Sequence, residues 1–294
     1  MPQCRNMPGT LYIVATPIGN LDDLTQRALS VLRQVDVIAC EDTRHTRKLL
    51  THFGIDARTV SYHEHNETSR ATELADLLTA GRDVAVVSDA GTPLISDPGF
   101  RIVRAAIERG ISIVPIPGAS AFVTALAASG LASDQIFFGG FLPARATARR
   151  IKLEEIRSLN ATVIFYEAPH RIAGALRDAH EVLGNRPAVV ARELTKLHEE
   201  FARGTLSELA NLFSDANRAR GEVVLMIAGA DSVADIDDQS GTESISSRFA
   251  KSMVQLQEKG LDEKTALKQA ARELGLKRDE AYRLLVAQKN RRQK

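Results

Sequence analysis

Four short apolar runs, separated by amphipathic stretches, occupy residues 10–117. The runs LYIVAT, VDVIAC, VAVVS and ISIVPIP have the length and the β-branched character of buried strands. The stretches between them repeat apolar residues at helical spacing. When strands alternate with helices along a chain, the strands usually pair in parallel and the helices cover the sheet. Residues 10–117 are therefore predicted to form an α/β domain with a mainly parallel sheet.

The same alternation returns in residues 118–230, with the runs QIFFGGF, TVIFYE, PAVVARE and EVVLMIAG. A second α/β domain with a mixed sheet is predicted there. Residues 231–245 are acidic and small and lack a hydrophobic period, which is typical of a linker. Three amphipathic segments follow within residues 246–294, separated by Gly260 and Gly275, and predict a helical module.

Length and composition fit this division of the chain. A chain of 294 residues can form two ordinary domains and a small third one. No apolar run approaches the roughly 20 residues that a membrane helix needs, and the segment MPQCRNMPGT lacks the apolar core of a signal peptide. The cysteines, Cys4 and Cys40, provide neither a disulfide framework nor a metal site. We therefore expect a cytoplasmic protein without a membrane partner.

The net charge of +1 conceals a basic C-terminal region. Residues 246–294 contain 13 Lys and Arg but only 6 Asp and Glu. Within them, the segment 266–285 has the rhythm of a helix-turn-helix, with Ala270, Leu274 and Leu276 in an apolar turn. Basic side chains beyond that turn would be available to nucleic-acid phosphates: Lys277, Arg278 and Arg283. These features predict a nucleic-acid-binding module, and the alternative is a solvated helical appendage.

Three loops that follow predicted strands have the composition of a ligand site. VATPIGN follows the first strand, at the edge where open α/β sheets bind ligands, although Pro-Ile-Gly alone could be a simple turn. SDAGTPLISDPG continues from the run VAVVS, and its Asp89 suits a ligand with hydroxyl groups or positive charge. Asp97 and Pro98 instead predict the start of a helix capped by Asp97. The small residues of PIPGASA would let a ligand approach a helix start or would form an interdomain hinge.

The loop after the second predicted strand, EDTRHT, combines two carboxylates, an arginine and a histidine. These side chains could anchor a phosphate and handle a proton. The alternative is a helix N-terminus capped by Asp42. Nearby, His63 and His65 have the spacing of metal ligands, but the sequence offers no evident third or fourth ligand, so we expect no metal site.

Together, these motifs resemble those of the tetrapyrrole-methylase-fold superfamily. VATPIGNLDDLT is similar to its opening motif, the Asp89 loop to its GDP-containing segment, and PGASA to its PGxTA segment. Within the superfamily, TPIGNLDDLTQRAL, EDTRHT, SDAGTPLISDPG and GFLPA most resemble the ribosomal RNA small subunit methyltransferase I family. The resemblance covers residues 10–230, and residues 246–294 resemble that family's C-terminal extension. Departures from porphyrin methylases at Pro17–Ile18 and Ala90–Gly91 favour the RNA branch.

The resemblance implies a two-domain tetrapyrrole-methylase-like α/β fold, with S-adenosyl-L-methionine in the cleft between the domains, and a homodimer. The implied activity is 2′-O-methylation of a decoding-centre cytidine in small-subunit (16S) ribosomal RNA. Matched position by position, the residues that would contact the cofactor are Pro17, Ile18, Gly19, Asp89, Thr92, Ile95, Ser120, Ala121, Tyr166, Glu167, Leu194 and Val223. The alternatives are a tetrapyrrole or diphthamide-type methyltransferase and a non-catalytic ribosome-assembly factor.

The EDTRHT loop is predicted to face the RNA, because it should emerge at the same sheet edge as Asp89. Arg44 and Arg47 would then contact the phosphates that flank the target ribose. Asp42 and His45 are candidates to orient or deprotonate the 2′-hydroxyl, and histidine titrates near neutrality, as a base should. Asp42, Arg44 and His45 form the predicted catalytic set.

Overall fold

The computed structural model describes residues 7–215, 221–230, 245–276, 281 and 285, which form two α/β units and a helical module. The first unit contains, in chain order, β1 Thr10–Val14, α1 Gln26–Gln34, β2 Val37–Cys40, α2 Thr43–His52, β3 Thr59–Ser61, α3 Glu67–Thr79, β4 Val84–Val87, α4 Phe100–Glu108 and β5 Ser112–Ile116. A short 3₁₀ turn, Leu21–Asp23, precedes α1.

The sheet of the first unit has five parallel strands in the order β3-β2-β4-β1-β5. All residues of β2 and β4 are buried. This is the pattern of strands in a parallel sheet that helices cover on both faces. The predicted mainly parallel sheet is therefore confirmed. The sequence pattern misses β3, because its three residues, TVS, do not form an apolar run.

The second unit has a mixed sheet, as predicted. Its elements are α5 Ala121–Ser129, β6 Ile136–Phe141, α6 Ala146–Glu155, β7 Thr162–Glu167, α7 Ile172–Leu183, β8 Pro187–Arg192, β9 Glu200–Thr205, α8 Leu206–Leu212 and β10 Val223–Ile227. A 3₁₀ turn, Pro169–Arg171, follows β7. The strands lie in the order β6-β7-β10-β8-β9, with β6 parallel to β7 and the other pairs antiparallel.

One residue from the first unit belongs to a hydrophobic cluster of the second. Ile18, in the turn after β1, is buried together with Ala125 of α5, Ile164 of β7 and Val224 of β10. Burial of apolar side chains is the main favourable term in folding. This contact therefore helps to fix how the two units sit against each other, and it places the turn after β1 beside the second sheet.

The C-terminal module has its own core. Its helices α9, Ile245–Glu258, and α10, Glu263–Glu273, pack through Phe249, Met253 and Ala270. Leu274 and Leu276 pack against this core. The predicted linker, most of the third predicted helix, and Lys277, Arg278 and Arg283 lie outside the described residues. Across the parts of the chain that the structure describes, no helix has the length and apolar character of a membrane span.

Candidate functional site

Three loops meet at the carboxyl ends of β1, β4 and β5. Thr16 and Gly91 form a reciprocal backbone bridge, with N–O distances of 2.9 and 3.0 Å. The Thr92 hydroxyl donates to the carbonyl oxygen of Ala119 at 3.1 Å. The three loops singled out in the sequence are therefore one structural unit. They lie at the sheet edge where open α/β proteins bind their ligands.

Two glycines allow the loops to approach this closely. Gly91 has φ 84°, and a Cβ atom there would lie 3.3 Å from Cγ2 of Ile18. A Cβ atom at Gly118 would lie 2.9 Å from Cβ of Ala15. Larger residues would force the loops apart, so the contact itself requires glycine at both positions.

A cavity of about 330 Å³ lies between this loop cluster and the second unit. The predicted cofactor residues of the first unit and of the start of α5 that line it are Ile18, Asp89, Thr92, Ile95, Ser120 and Ala121. Those of the second unit that line it are Tyr166, Glu167, Leu194 and Val223. The cavity volume falls in the range of small-molecule sites.

Two residues of the predicted cofactor set, Pro17 and Gly19, lie outside the cavity wall. A Cβ atom at Gly19 would lie 2.6 Å from Cγ of Lys196 and 2.9 Å from Oγ1 of Thr195. Gly19 therefore packs against the loop after β8. Because glycine has no side chain, the two units can come into contact at this position.

The charged side chains on the cavity wall are all acidic among the described residues: Asp89, Asp97, Glu167 and Glu222. Glu167 is fully buried, and its Oε1 accepts hydrogen bonds from the N–H of Ala168 at 2.8 Å and from Nε of Arg171 at 2.6 Å. Its other oxygen, Oε2, is buried without a hydrogen-bond partner among the residues described. A buried carboxylate oxygen without a partner is costly, which makes Glu167 a candidate to accept a hydrogen bond from a bound molecule.

An aromatic cluster forms part of the second-unit wall. The Tyr166 ring meets Phe138 and Phe141 edge to face, with centroid distances of 5.0 and 5.5 Å. Burial raises the pKa of the Tyr166 hydroxyl above its usual value. Tyr166 is therefore neutral at physiological pH and presents a flat, largely apolar surface to the cavity.

Asp97 does not cap α4, so that prediction is wrong. The helix begins at Phe100, with Gly99 at the capping position. The cap contacts come from Glu67 on α3, whose Oε1 accepts from the N–H groups of Gly99 at 3.1 Å and Arg101 at 3.2 Å. A contact from a distant helix thus replaces the local cap, and Asp97 lies on the cavity wall instead.

The loop after β2 is tied to the Asp89 loop, because the N–H of Asp42 donates to Oδ1 of Asp89 at 3.2 Å. This confirms that it emerges at the same sheet edge. Asp42 caps α2 by accepting from the N–H of Arg44 at 2.8 Å, and it forms an ion pair with the Arg44 guanidinium at 3.1 Å. These hydrogen bonds hold the pKa of Asp42 below its usual value. Arg44 and His45 are exposed, and the predicted catalytic residues lie beside the cavity rather than in its wall.

The other pair of histidines lies in the turn between β3 and α3. The rings of His63 and His65 meet edge to face with centroids 5.9 Å apart. Asn66 accepts a hydrogen bond from the N–H of His63 at 2.9 Å. In the described parts of the chain, no three potential metal ligands come together. The contacts of this turn are those of a local structural motif.

The sequence gives no sign that Phe141 and Glu222 line the cavity, and it assigns Asp97 to a helix cap instead. Backbone geometry marks two of the loops involved. Non-glycine residues with left-handed φ angles occur there, and they are Leu94 (72°), Ser96 (67°), Glu193 (51°) and Thr195 (66°). Such strain concentrates at functional sites but leaves no signal in a single sequence.

Comparison with known proteins assigns the chain to a family. The model of the Tetrapyrrole (Corrin/Porphyrin) Methylases matches residues 10–210. Ribosomal RNA small subunit methyltransferase I of Micromonospora olivasterospora is 54% identical over 75% of this chain and 71% of that protein. The chain belongs to the ribosomal RNA small subunit methyltransferase I family. The family members of Vibrio cholerae (54% identical, 74% of this chain and 77% of that protein) and Halalkalibacterium halodurans (52%, 77% and 78%) agree.

Solved structures confirm the predicted tetrapyrrole-methylase-like fold. Cobalt precorrin-4 methyltransferase aligns with a TM-score of 0.56 and 18% identity, over 78% of this chain and 97% of that chain. Diphthine synthase aligns with a TM-score of 0.58 and 17% identity, over 75% and 90%. At such identities the likeness concerns the fold alone. The relatives above 50% identity carry the ribosomal RNA name, which disfavours the tetrapyrrole and diphthamide alternatives for this family member.

Proposed function

We propose that this protein, a cytoplasmic homodimer, transfers the methyl group of S-adenosylmethionine to the 2′-hydroxyl of a cytidine in the decoding centre of small-subunit ribosomal RNA. The observation that carries the proposal is identity above 50%, over three quarters of the chain, to proteins named ribosomal RNA small subunit methyltransferase I. The acidic cavity between the two α/β units provides a place for the methyl donor.

The cavity has the properties that S-adenosylmethionine requires. The donor carries a sulfonium and an ammonium group, which suit the carboxylates of Asp89 and Glu167 on the wall. Its adenine suits the apolar surface of Ile18, Leu194 and Val223. The N-terminus of α5 at Ser120, where the side chain makes no capping bond, suits the donor's own carboxylate. Once bound, the donor supplies an electrophilic methyl group.

The protein's main task is then to hold the ribose. An oxygen positioned in line with the methyl group gains several kcal/mol from orientation alone. We assign Arg44 and Arg47, both exposed on α2, whose N-terminal end is tied to the Asp89 loop, to the phosphates around the target nucleotide. His45, exposed on the same helix turn, would contact the ribose or its neighbour. Asp42 would act by capping α2 and holding Arg44.

The decisive experiment is methyl transfer from labelled S-adenosylmethionine to small ribosomal subunits from a strain that lacks this gene. We expect one new 2′-O-methylated cytidine in the decoding centre, mapped by mass spectrometry. Transfer to a tetrapyrrole precursor in place of RNA would favour the tetrapyrrole alternative. Binding to subunits without any transfer would favour an assembly factor.

Asp89→Ala is expected to weaken binding of S-adenosylmethionine by at least about tenfold, which corresponds to about 1.4 kcal/mol. A hydrogen bond to a charged group contributes this much or more. Asp89 is half-buried on the wall, so the fold should survive the change. Calorimetry measures the affinity, with Asp76→Ala, an exposed carboxylate on α3, as the matched control. An unchanged affinity in folded Asp89→Ala would remove this residue from the site.

Deletion of residues 240–294 is expected to leave donor affinity intact and to weaken RNA binding, because the deleted region is basic. The dependence of RNA affinity on salt should become shallower, since fewer phosphates are neutralised. The double substitution Lys268→Glu and Arg272→Glu, at exposed positions of α10, should reproduce part of the loss with the module still present. Equal affinity of the full-length and shortened proteins for small subunits would contradict an RNA-binding role.

A further inference from the structure

We infer that Asp97 accepts the proton of the ribose hydroxyl during methyl transfer, an inference that rests on the proposed function. Asp97 belongs to the loop between β4 and α4, and it lines the cavity between the two units. It lies outside the residues that the family resemblance marks for the cofactor. The assignment depends on the position of Asp97, on its neighbours, and on the interactions that the other carboxylates of the site already make.

The backbone places Asp97 where the cavity meets solvent. Ile95 and Ser96, immediately before it, are exposed, whereas Asp97 is half-buried. Ser96 adopts φ 67°, a conformation that turns the chain sharply just before Asp97. A Cβ atom at Gly140 of β6 would lie 3.5 Å from Oγ of Ser96, so the loop is close to the second unit. A substrate oxygen that enters from solvent would therefore meet this carboxylate at the mouth.

Two other cavity carboxylates already hold cations. Glu167 pairs with Arg171 at 2.6 Å, deep in the wall. Glu222 pairs with Lys196 at 3.4 Å. Both carboxylates therefore already interact with a cation of the protein.

The two carboxylates near the β2 edge are also engaged. Asp89 accepts the backbone N–H of Asp42 at 3.2 Å. Asp42 itself caps α2 and pairs with Arg44 at 3.1 Å. Asp97 has a different environment, because the charged groups near it are other carboxylates rather than cations.

The environment of Asp97 favours its protonated form. Burial raises the pKa of Asp97 to about 6, the negative charges of Glu41 and Asp89 add to this increase, and hydrogen bonding with Ser88 opposes it. From β7, Tyr166 faces the same carboxyl as a neutral phenol. A general base is most effective when its pKa lies close to the working pH. Asp97 meets this condition: it is ionised at neutral pH and yet basic enough to take a proton.

In the methyl-transfer step, the 2′-oxygen forms a bond to the methyl carbon, and the carbon–sulfur bond of the donor breaks with both electrons remaining on sulfur. The O–H proton passes to a carboxylate oxygen of Asp97 as the new bond forms. Asp97 becomes a neutral acid and later returns the proton to water, which reaches it through the exposed mouth. No oxidant or further reactant is needed.

The test is the isosteric variant Asp97→Asn in the full-length chain, assayed in single turnover with saturating donor and small subunits. We expect the rate to fall by at least about 100-fold, the lower limit of general-base catalysis, while donor affinity stays within about threefold. The wild-type rate should rise with pH through the acid range and then level off, because the base must be ionised. In Asp97→Asn this rise should disappear. Asp76→Asn is the matched control and should behave like the wild type.

A second measurement uses the protein without donor or RNA. The native carboxyl holds its proton up to about pH 6 and the unfolded one only to about 3.8, so wild-type stability falls as pH rises between these values. The melting temperature of Asp97→Asn should therefore increase relative to that of the wild type as the pH rises across this range. The inference would be overturned if Asp97→Asn turned over at the wild-type rate, or if Asp42→Asn lost activity and Asp97→Asn did not. Either result would leave the proposed function standing. A wild-type protein that methylates no small-subunit RNA would overturn both.

Discussion

Asp178→Ala is expected to lower the free energy of unfolding by about 3–5 kcal/mol, the usual cost of breaking a buried ion pair. Asp178 on α7 is only 4% exposed, and it accepts from Nε of Arg149 and Nε of Arg150, both at 2.7 Å. Arg149 on α6 is 6% exposed, so removal of Asp178 leaves a largely buried charge without its counter-ion. Urea denaturation at neutral pH measures the loss.

The same pair supports the cavity. Nη1 of Arg149 donates to the carbonyl oxygens of Ala144 at 3.3 Å and Pro143 at 3.5 Å, in the loop that follows Phe141. Loss of Asp178 should therefore also loosen this wall and weaken donor binding. Asp76→Ala, which removes an exposed ion pair, should cost no more than about 1 kcal/mol.

The double substitution Arg149→Met and Asp178→Leu distinguishes the effect of the two buried charges from the effect of the volume that their side chains fill. Because apolar side chains of similar volume remove both buried charges, most of the lost stability should return. If Asp178→Ala destabilises the protein no more than Asp76→Ala does, the buried pair does not have the importance that we assign to it.

The sequence predicts those elements whose apolar residues form a continuous run or recur at helical spacing. The fully buried strands β2 and β4 appear as continuous apolar runs, and the helices between them as amphipathic stretches. Two strands escape because their burial is different. β3 has three half-buried residues, and β9, EFARGT, lies at the edge of its sheet beside β8 alone and contains charged residues. Neither strand therefore has an apolar run to detect.

The site shows the same division between local and long-range information. The loops at Ile18, Asp89 and Ser120 follow strands, so their meeting at one sheet edge can be predicted from the order of elements. The place of Asp97 cannot be predicted in this way. It depends on Glu67, which lies 30 positions earlier on another helix and caps α4 in place of Asp97. Glu222 likewise reaches the cavity only because β10 lies beside β7 in the second sheet.

Glu167→Gln is expected to weaken binding of S-adenosylmethionine by roughly 30-fold, or about 2 kcal/mol. The Glu167 side chain is completely buried, and Oε2 has no partner in the described part of the protein. A cationic group of the donor would satisfy this oxygen, and that interaction is strong because water is excluded. The glutamine side chain has the same shape but carries no charge. Calorimetry on folded protein, with circular dichroism to confirm the fold, measures the effect.

Arg171 provides the control that separates charge from structure. If Glu167 acts on the donor through its own charge, Arg171→Gln should retain or strengthen donor binding, because it leaves the carboxylate with one cation fewer to satisfy. If Glu167 serves only to hold Arg171 and the turn at Ala168, the two variants should lose affinity together. Opposite responses of the two variants would therefore establish the carboxylate as a direct partner of the donor, and parallel losses would reduce it to a support of the cavity wall.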